Sequence, residues 1–154
     1  MGLTLALYQP DIPQNAGAML RACACFGVRA AFIEPAGFPT SDRHFRRAGM
    51  DYLDHVEIDR HASFEAFEAW RRAEKRRLIL LTTSGDRHPA EFAFRDGDVV
   101  LVGRESAGVP DCVHERADAR LRIPMRPGLR SLNVAVAAAV VLFEGLRQTG
   151  GLPQ

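Results

Sequence analysis

Lysine is almost absent from this chain: of 20 cationic side chains only Lys75 is a lysine, and the others are arginine. Cysteine is scarce as well, with three residues in 154. An odd number, with Cys23 and Cys25 two apart, fits neither a disulfide framework nor the two-residue gap of common zinc sites. All three are expected to be reduced thiols packed as small apolar groups. No apolar run approaches the roughly 20 residues that cross a bilayer, and the opening MGLTLALYQPD has neither a basic n-region nor a small-residue cleavage site. The expected location is cytoplasmic, without membrane contact. A net charge of +1 does not declare a nucleic-acid binder by itself. Also missing are G-x-G-x-x-G after the first strand, G-x-x-x-x-G-K-[ST], H-E-x-x-H and paired metal-ligand spacings. Those absences argue against Rossmann dinucleotide binding, nucleotide phosphate hydrolysis and zinc chemistry, and no metal is expected. There is no repeat, low-complexity tract or linker, so residues 1–154, at 47% hydrophobic and 25% charged, suit a single domain with one core.

What is present is an alternation of apolar runs and helical patterns. LTLALY (3–8) reads as a buried strand running into the turn Gln9-Pro10-Asp11-Ile12-Pro13. From Gln14 to Phe26, Ala18, Met19, Ala22 and Cys25 recur at helical spacing; Asn15 stands near the start, Arg21 is the one charge, and Gly27 supplies the stop. VRAAFIEP (Val28 to Pro35) reads as a second strand and Ser41 to Ala48 as a short helix ended by Gly49. Ser63 suits the N-cap of a helix to about Arg77, with Phe64, Phe67 and Trp70 on one side. LILLTT (Leu78 to Thr83) and DVVLVG (Asp98 to Gly103) have strand length and end at polar, glycine-containing loops. Pro110 can open the next helix at its first position. RLRIP (Arg120 to Pro124) is a last strand, MRPGLRS a loop, and GGLPQ a frayed tail. This alternation argues for an α/β domain with a mostly parallel sheet flanked by helices, whose ligand sits beyond the carboxyl ends of the strands. Those ends carry Thr82 to Gly85, Gly103 to Gly108 and Ile123 to Asn133, which are expected to converge.

The stretch RSLNVAVAAAVVLFEGLRQ (130–148) joins a polar cluster to the most apolar helix candidate in the chain. Nothing between Val134 and Phe143 is polar, so the helix is expected to be buried on every side. Ser131 stands where an N-cap would, and the free amides beyond it would receive anionic or hydrogen-bonding ligand atoms. Arg130, Ser131 and Asn133 are therefore a candidate site; the simpler alternative is a cap and a turn. Glu105 is the one carboxylate in a glycine-flanked loop after a buried strand, a candidate for chemistry or for bonds to nearby backbone amides. The five histidines are scattered and read as surface residues. Arginine suits bidentate phosphate recognition, and it falls in three groups: Arg43, Arg46 and Arg47; Arg71, Arg72, Arg76 and Arg77; Arg120, Arg122, Arg126 and Arg130. For the second group a solvated helix face is the simpler reading.

Three segments, NAGAMLRACACFG, LVGRESAGVP and RIPMRPGLRSLNVAVAAAVVLFE, together resemble the motifs of the SPOUT superfamily of α/β-knot RNA methyltransferases. With YQPDIPQNAG, IEPAGF, DRHFRRAGMDY, LTTSG and FEGLRQ, the likeness covers nearly the full length. Within the superfamily the chain is most similar to the minimal enzymes that methylate the wobble nucleotide (position 34) of tRNA. The resemblance implies S-adenosylmethionine bound in a C-terminal trefoil knot, S-adenosylhomocysteine as product, a homodimer, the tRNA anticodon stem-loop as partner, and methyl transfer to a ribose 2′-hydroxyl. Another RNA, such as rRNA, or RNA binding without catalysis are the alternatives. Position by position, Leu81, Gly103, Ile123 and Ser131 match the cofactor-binding positions, with Thr82, Gly85, Met125 and Leu132 nearby. Asn15, Arg21, Glu105, Ser131 and Asn133 match the polar active-site set, and Arg43, Arg46, Arg47 and Arg130 are the expected RNA contacts. The apolar helix from Val134 and the N-terminal helix around Met19 are expected to form the dimer core. The chain departs from the pattern at Arg104, Ala107 and Val134-Ala135-Val136.

Overall fold

A computed structural model describes all 154 residues. Six strands form one sheet: β1 (Thr4–Tyr8), β2 (Arg29–Ile33), β3 (Ile58–His61), β4 (Leu78–Leu81), β5 (Val99–Val102) and β6 (Ala119–Leu121). Every pairing is parallel and the order across the sheet is β3-β2-β1-β5-β4-β6. Five helices surround it: α1 (Pro13–Phe26), α2 (Arg43–Gly49), α3 (Phe64–Ala73), α4 (Asp111–Arg116) and α5 (Val134–Thr149). The central strands carry apolar residues at successive positions because both faces are covered. Leu5, Leu7, Phe32, Ile79 and Val100 pack with α1, α2 and α5, while Ala6, Ile33, Leu78, Leu80 and Leu101 pack with Phe64 and Phe67 of α3 and Val113 of α4. Each fully buried leucine contributes roughly 1.5–3 kcal/mol. The chain builds outward from β1 in one direction and then places β5 beside β1 on the other, so strand order reverses at the β1–β5 boundary, where open parallel sheets bind ligands.

Several expectations are corrected. IDRH, with a single apolar residue, forms the edge strand β3; an edge strand needs little burial and leaves little hydrophobic signal. A 3₁₀ turn over Met50–His55 follows α2. Helix α3 does have Ser63 as its cap, accepting from the Ala66 N–H at 3.1 Å, but it stops at Ala73, and Lys75 at φ 57° turns the chain toward β4. Of the second arginine group only Arg72 is exposed as on a solvated face. Arg71 is buried and donates to both oxygens of buried Glu68 at 2.6 and 2.8 Å, and buried Arg76 reaches the carbonyls of Gly2 and Gly97 at 3.3 and 3.4 Å.

Pro110 immediately precedes α4 rather than opening it, and β6 ends at Leu121, short of Pro124. The C-terminal residues are docked, not frayed: Gly150 turns the chain at φ 75°, the Gly151 N–H donates to Leu146 O at 2.9 Å, and Leu152 packs on the core. Only Cys23 is buried, and burial pushes its thiol up to about 12; Cys25 and Cys112 are exposed.

The largest correction concerns α5. One side of it, carrying Ala138, Val141, Leu142 and Leu146, is buried, but Val136, Val140 and Phe143 are 51%, 46% and 49% exposed. Its N-cap is Asn133, not Ser131; Asn133 Oδ1 accepts from the Ala135 and Val136 amides at 2.8 and 3.2 Å. Met19 itself is enclosed in its own chain's core at 3% exposure, while Ala22 and Phe26 of the same helix are half-buried and Cys25 is exposed.

Candidate active site

The ends of β4, β5 and β6 and the start of α5 enclose a cavity of about 720 Å³, within the range of small-ligand sites. Backbone hydrogen bonds bring its walls together. Beyond the sheet, the Thr82 N–H donates to Leu121 O at 2.9 Å and the Arg122 N–H to Arg87 O at 2.8 Å, so the chain leaving β4 runs beside the chain leaving β6. That approach requires glycine at position 85, where a Cβ would lie 2.5 Å from the Leu121 carbonyl carbon. The third wall closes on itself: Arg104 and Gly108 exchange backbone hydrogen bonds at 3.1 and 2.7 Å. A Cβ on Gly103 would stand 2.8 Å from the Gly108 carbonyl carbon, so this loop too depends on a missing side chain.

A chain of polar contacts crosses the cavity mouth. Asn133, while capping α5 through Oδ1, donates from Nδ2 to Asn15 Oδ1 at 3.0 Å. Asn15 in turn donates from Nδ2 to Glu105 Oε1 at 2.5 Å, and the Val134 N–H reaches the same oxygen at 3.3 Å. Glu105 thus accepts from one backbone amide, as the simpler reading of it expects, and from one side-chain amide. The Ser106 hydroxyl donates to Asp11 Oδ2, pinning the loop to the segment between β1 and α1. Arg104, Arg122 and Arg130 line the cavity against a single carboxylate, Glu105, and a net positive mouth favours a polyanion. Burial raises the Tyr8 phenol above its ordinary range, against the opposing pull of nearby Arg104.

The expected loops meet here. Leu81, Thr82, Gly103, Ile123, Met125, Ser131 and Leu132 all line the cavity, whereas Gly85 sits against β6 outside the lining. Glu105, Ser131 and Asn133 line it too, and Asn15 joins by hydrogen bond. Arg21 stands apart, its guanidinium 4.6 Å from the Tyr52 ring centroid and its Nη1 3.4 Å from Met50 Sδ. Arg130 lines the cavity; Arg43, Arg46 and Arg47 are exposed on α2, with Arg46 Nε donating to Thr40 O at 2.9 Å. Arg104 and His114, outside the expected site set, belong to the lining, as does Arg122 of the third arginine group. Arg104 had a usable signal as the neighbour of Glu105; His114, in a six-residue helix, had none.

The donor set suits S-adenosylmethionine. Leu81, Ile123, Met125 and Leu132 offer apolar walls, the glycine at 103 keeps backbone at the surface, and Thr82 and Ser131 offer hydroxyls.

A parallel α/β sheet with a glycine-shaped, arginine-lined cavity at its carboxyl edge defines a class that the comparisons specify. The model of the SpoU rRNA Methylase family matches residues 2–143, and the chain belongs to that family. Among relatives, the tRNA (cytidine(34)-2′-O)-methyltransferase of Beijerinckia indica subsp. indica is 67% identical over 148 residues, covering 96% of this chain and 92% of the relative. A solved structure concerned with the 2-OH methylation of C/U34 on tRNA is 42% identical, with a TM-score of 0.90 and 95% of each chain covered. The SpoU methyltransferase AviRb from Streptomyces viridochromogenes, solved in complex with AdoMet, is 25% identical with a TM-score of 0.87, covering 96% of this chain and 60% of that one.

Proposed function

We propose that this chain methylates the ribose 2′-hydroxyl of the wobble nucleotide, position 34, of tRNA. The observation that carries the reading is the Glu105–Asn15–Asn133 contact chain at the mouth of the glycine-shaped cavity. It occurs in a chain 67% identical to a relative named for this reaction. S-adenosylmethionine, when bound, supplies a methyl group already activated on a sulfonium. Leu81, Thr82, Gly103, Ile123, Met125, Ser131 and Leu132 would hold it, and Gly85 sets the wall behind them. The remaining task is to align the acceptor oxygen and to stabilise the alkoxide that develops on it. Glu105 holds Asn15, Asn133 holds the other end of the same amide, and the α5 amides beyond Asn133 add the positive end of a helix dipole. Arg130 receives RNA phosphate at the mouth, and Arg43, Arg46 and Arg47 extend that contact along α2 toward the anticodon stem-loop.

The chain paths leaving β4 and β6 are read as part of a C-terminal trefoil knot. The reading also includes a homodimer, with Val136, Val140 and Phe143 of α5 covered by a second copy. Phe26 joins that face, its ring centroid 6.4 Å from that of Phe143. Arg21 does not reach its own chain's cavity, so its part in catalysis depends on the pairing. The enzyme acts in the cytoplasm, where it meets tRNA. The family description favours rRNA as a second reading, but identity along 96% of the chain to a tRNA-directed relative outweighs it. Mapping 2′-O-methyl groups in tRNA from cells with and without this protein tests the proposal. Loss of the mark at position 34 is expected; an unchanged wobble ribose would overturn it.

A further inference from the structure

The loop Gly103–Gly108 holds a guanidinium that nothing in the chain neutralises. Arg104 lines the cavity and is half-buried. Its backbone is clamped to Gly108, its Nε donates to the Gly108 carbonyl at 3.3 Å, and its guanidinium carbon lies 5.5 Å from the centroid of the Tyr8 ring. Tyr8, at the end of β1, is only 6% exposed, so the platform under the guanidinium is fixed. The terminal nitrogens have no acceptor in the chain, and no carboxylate lies within ion-pair distance. Arg29, Arg60, Arg71, Arg77, Arg116 and Arg147, by contrast, each meet a carboxylate. Arg104 is an immobilised, unpaired cation at a cavity wall. Its ordering cost is met in folding, so an anion that binds there loses little further side-chain freedom.

The sheet order indicates which anion. Beside β5, one neighbour is β1 and the other is β4, with β6 beyond. The candidate cofactor residues Leu81, Ile123 and Met125 belong to the β4 and β6 side. Tyr8 under Arg104, and Asn15 bonded to Glu105, belong to the β1 side. We propose that Arg104 binds a phosphate oxygen of the RNA chain beside the accepting ribose, its planar fork suiting that group. The inference rests on the methyltransferase reading above. The same fork would suit a carboxylate, for which the methionine end of S-adenosylmethionine is the other source, and the experiment separates the two.

Binding of an unmodified tRNA transcript is measured by fluorescence anisotropy across a potassium chloride series for wild type, Arg104→Gln and Arg104→Lys, alongside calorimetric titration with S-adenosylmethionine. Arg104→Gln should weaken tRNA binding about tenfold and reduce the magnitude of the salt slope by about 0.7 to 1, with affinity for S-adenosylmethionine unchanged. Arg104→Lys should keep the wild-type salt slope while recovering only part of the affinity, and it supplies the decision if the glutamine variant does not fold. A lysine variant that binds as tightly as wild type would overturn the role of the fork. Wild-type affinity and slope in Arg104→Gln would overturn the inference. So would a loss of S-adenosylmethionine binding with the tRNA slope intact, which assigns the guanidinium to the carboxylate. A wild-type protein that fails to bind tRNA overturns the functional reading, and this inference with it.

Discussion

Removing the Glu105 carboxylate tests the polar contact chain most directly. Glu105 Oε1 receives the Asn15 amide at 2.5 Å and the Val134 N–H at 3.3 Å, so Glu105→Ala removes the acceptor for both. A hydrogen bond to a charged group contributes about 1.5–3 kcal/mol, and the longer one to Val134 adds less. If that energy serves to hold Asn15 in register with Asn133, its loss appears in the barrier: about 2–3 kcal/mol corresponds to roughly 30- to 150-fold in kcat. Glu105→Gln keeps an oxygen but not the charge and should lose about tenfold. Glu105 is exposed, so the fold should lose no more than about 0.5 kcal/mol. The assay is single-turnover methylation of tRNA at saturating S-adenosylmethionine, with thermal unfolding as the control. Because Asn15 and Glu105 act as one unit, Asn15→Ala with Glu105→Ala should cost little more than either alone. Wild-type turnover in a folded Glu105→Ala protein, or losses that simply add, would refute the reasoning.

Gly103→Val should abolish measurable S-adenosylmethionine binding in calorimetry, since a Cβ there already meets the Gly108 carbonyl carbon at 2.8 Å; wild-type affinity in a folded variant would place the cofactor elsewhere. Val140→Asp with Phe143→Asp puts charge on an exposed apolar face and should leave a folded monomer in sedimentation, while monomeric wild type at micromolar concentration would remove the dimer. Arg21→Ala should lower single-turnover methylation about 100- to 1,000-fold with S-adenosylmethionine affinity kept; an unchanged rate returns Arg21 to a surface role. Glu68→Ala should cost roughly 3 kcal/mol in denaturant unfolding by stripping a buried guanidinium of its bidentate partner. Although burial opposes it, the bonds from Arg71 hold the Glu68 carboxyl below its ordinary value. Its stabilisation is therefore complete above the unfolded carboxyl's range and is lost as pH falls through the depressed folded value; an unfolding midpoint no more acid-sensitive than that of Glu68→Ala would contradict this.

The strands LTLALY, LILL and VVLV were legible because burial on both faces makes a strand a continuous apolar word. Because ligands of open parallel sheets sit beyond the carboxyl ends of the strands, the three cavity loops were legible as neighbours too. What stayed illegible has specific causes. Ser131 and Asn133 are both good capping residues two positions apart, and only backbone angles choose between them. An apolar helix such as α5 demands cover, but composition does not say whether its own chain or another supplies it. Arg104 is an ordinary loop arginine until Tyr8, far earlier in the sequence, comes underneath it. Glu68 and Arg71 look like a surface pair one helical turn apart, and only the packing of α3 on the sheet reveals that the pair is buried.

Asn133 ties the beginning of the chain to its end. It meets Asn15 across 118 residues, and Asn15 meets Glu105 across 90. Contacts this distant in sequence carry the largest loop-closure cost and form late in folding. During synthesis the N-terminal helix and the Glu105 loop exist before Asn133 has been made, so the constellation is complete only once the last helix has docked. A nascent or C-terminally clipped chain should be inert toward RNA chemistry, and recovery of turnover during refolding should trail recovery of helical signal. Catalytic competence becomes a report that the whole path, from first helix to last, has been completed.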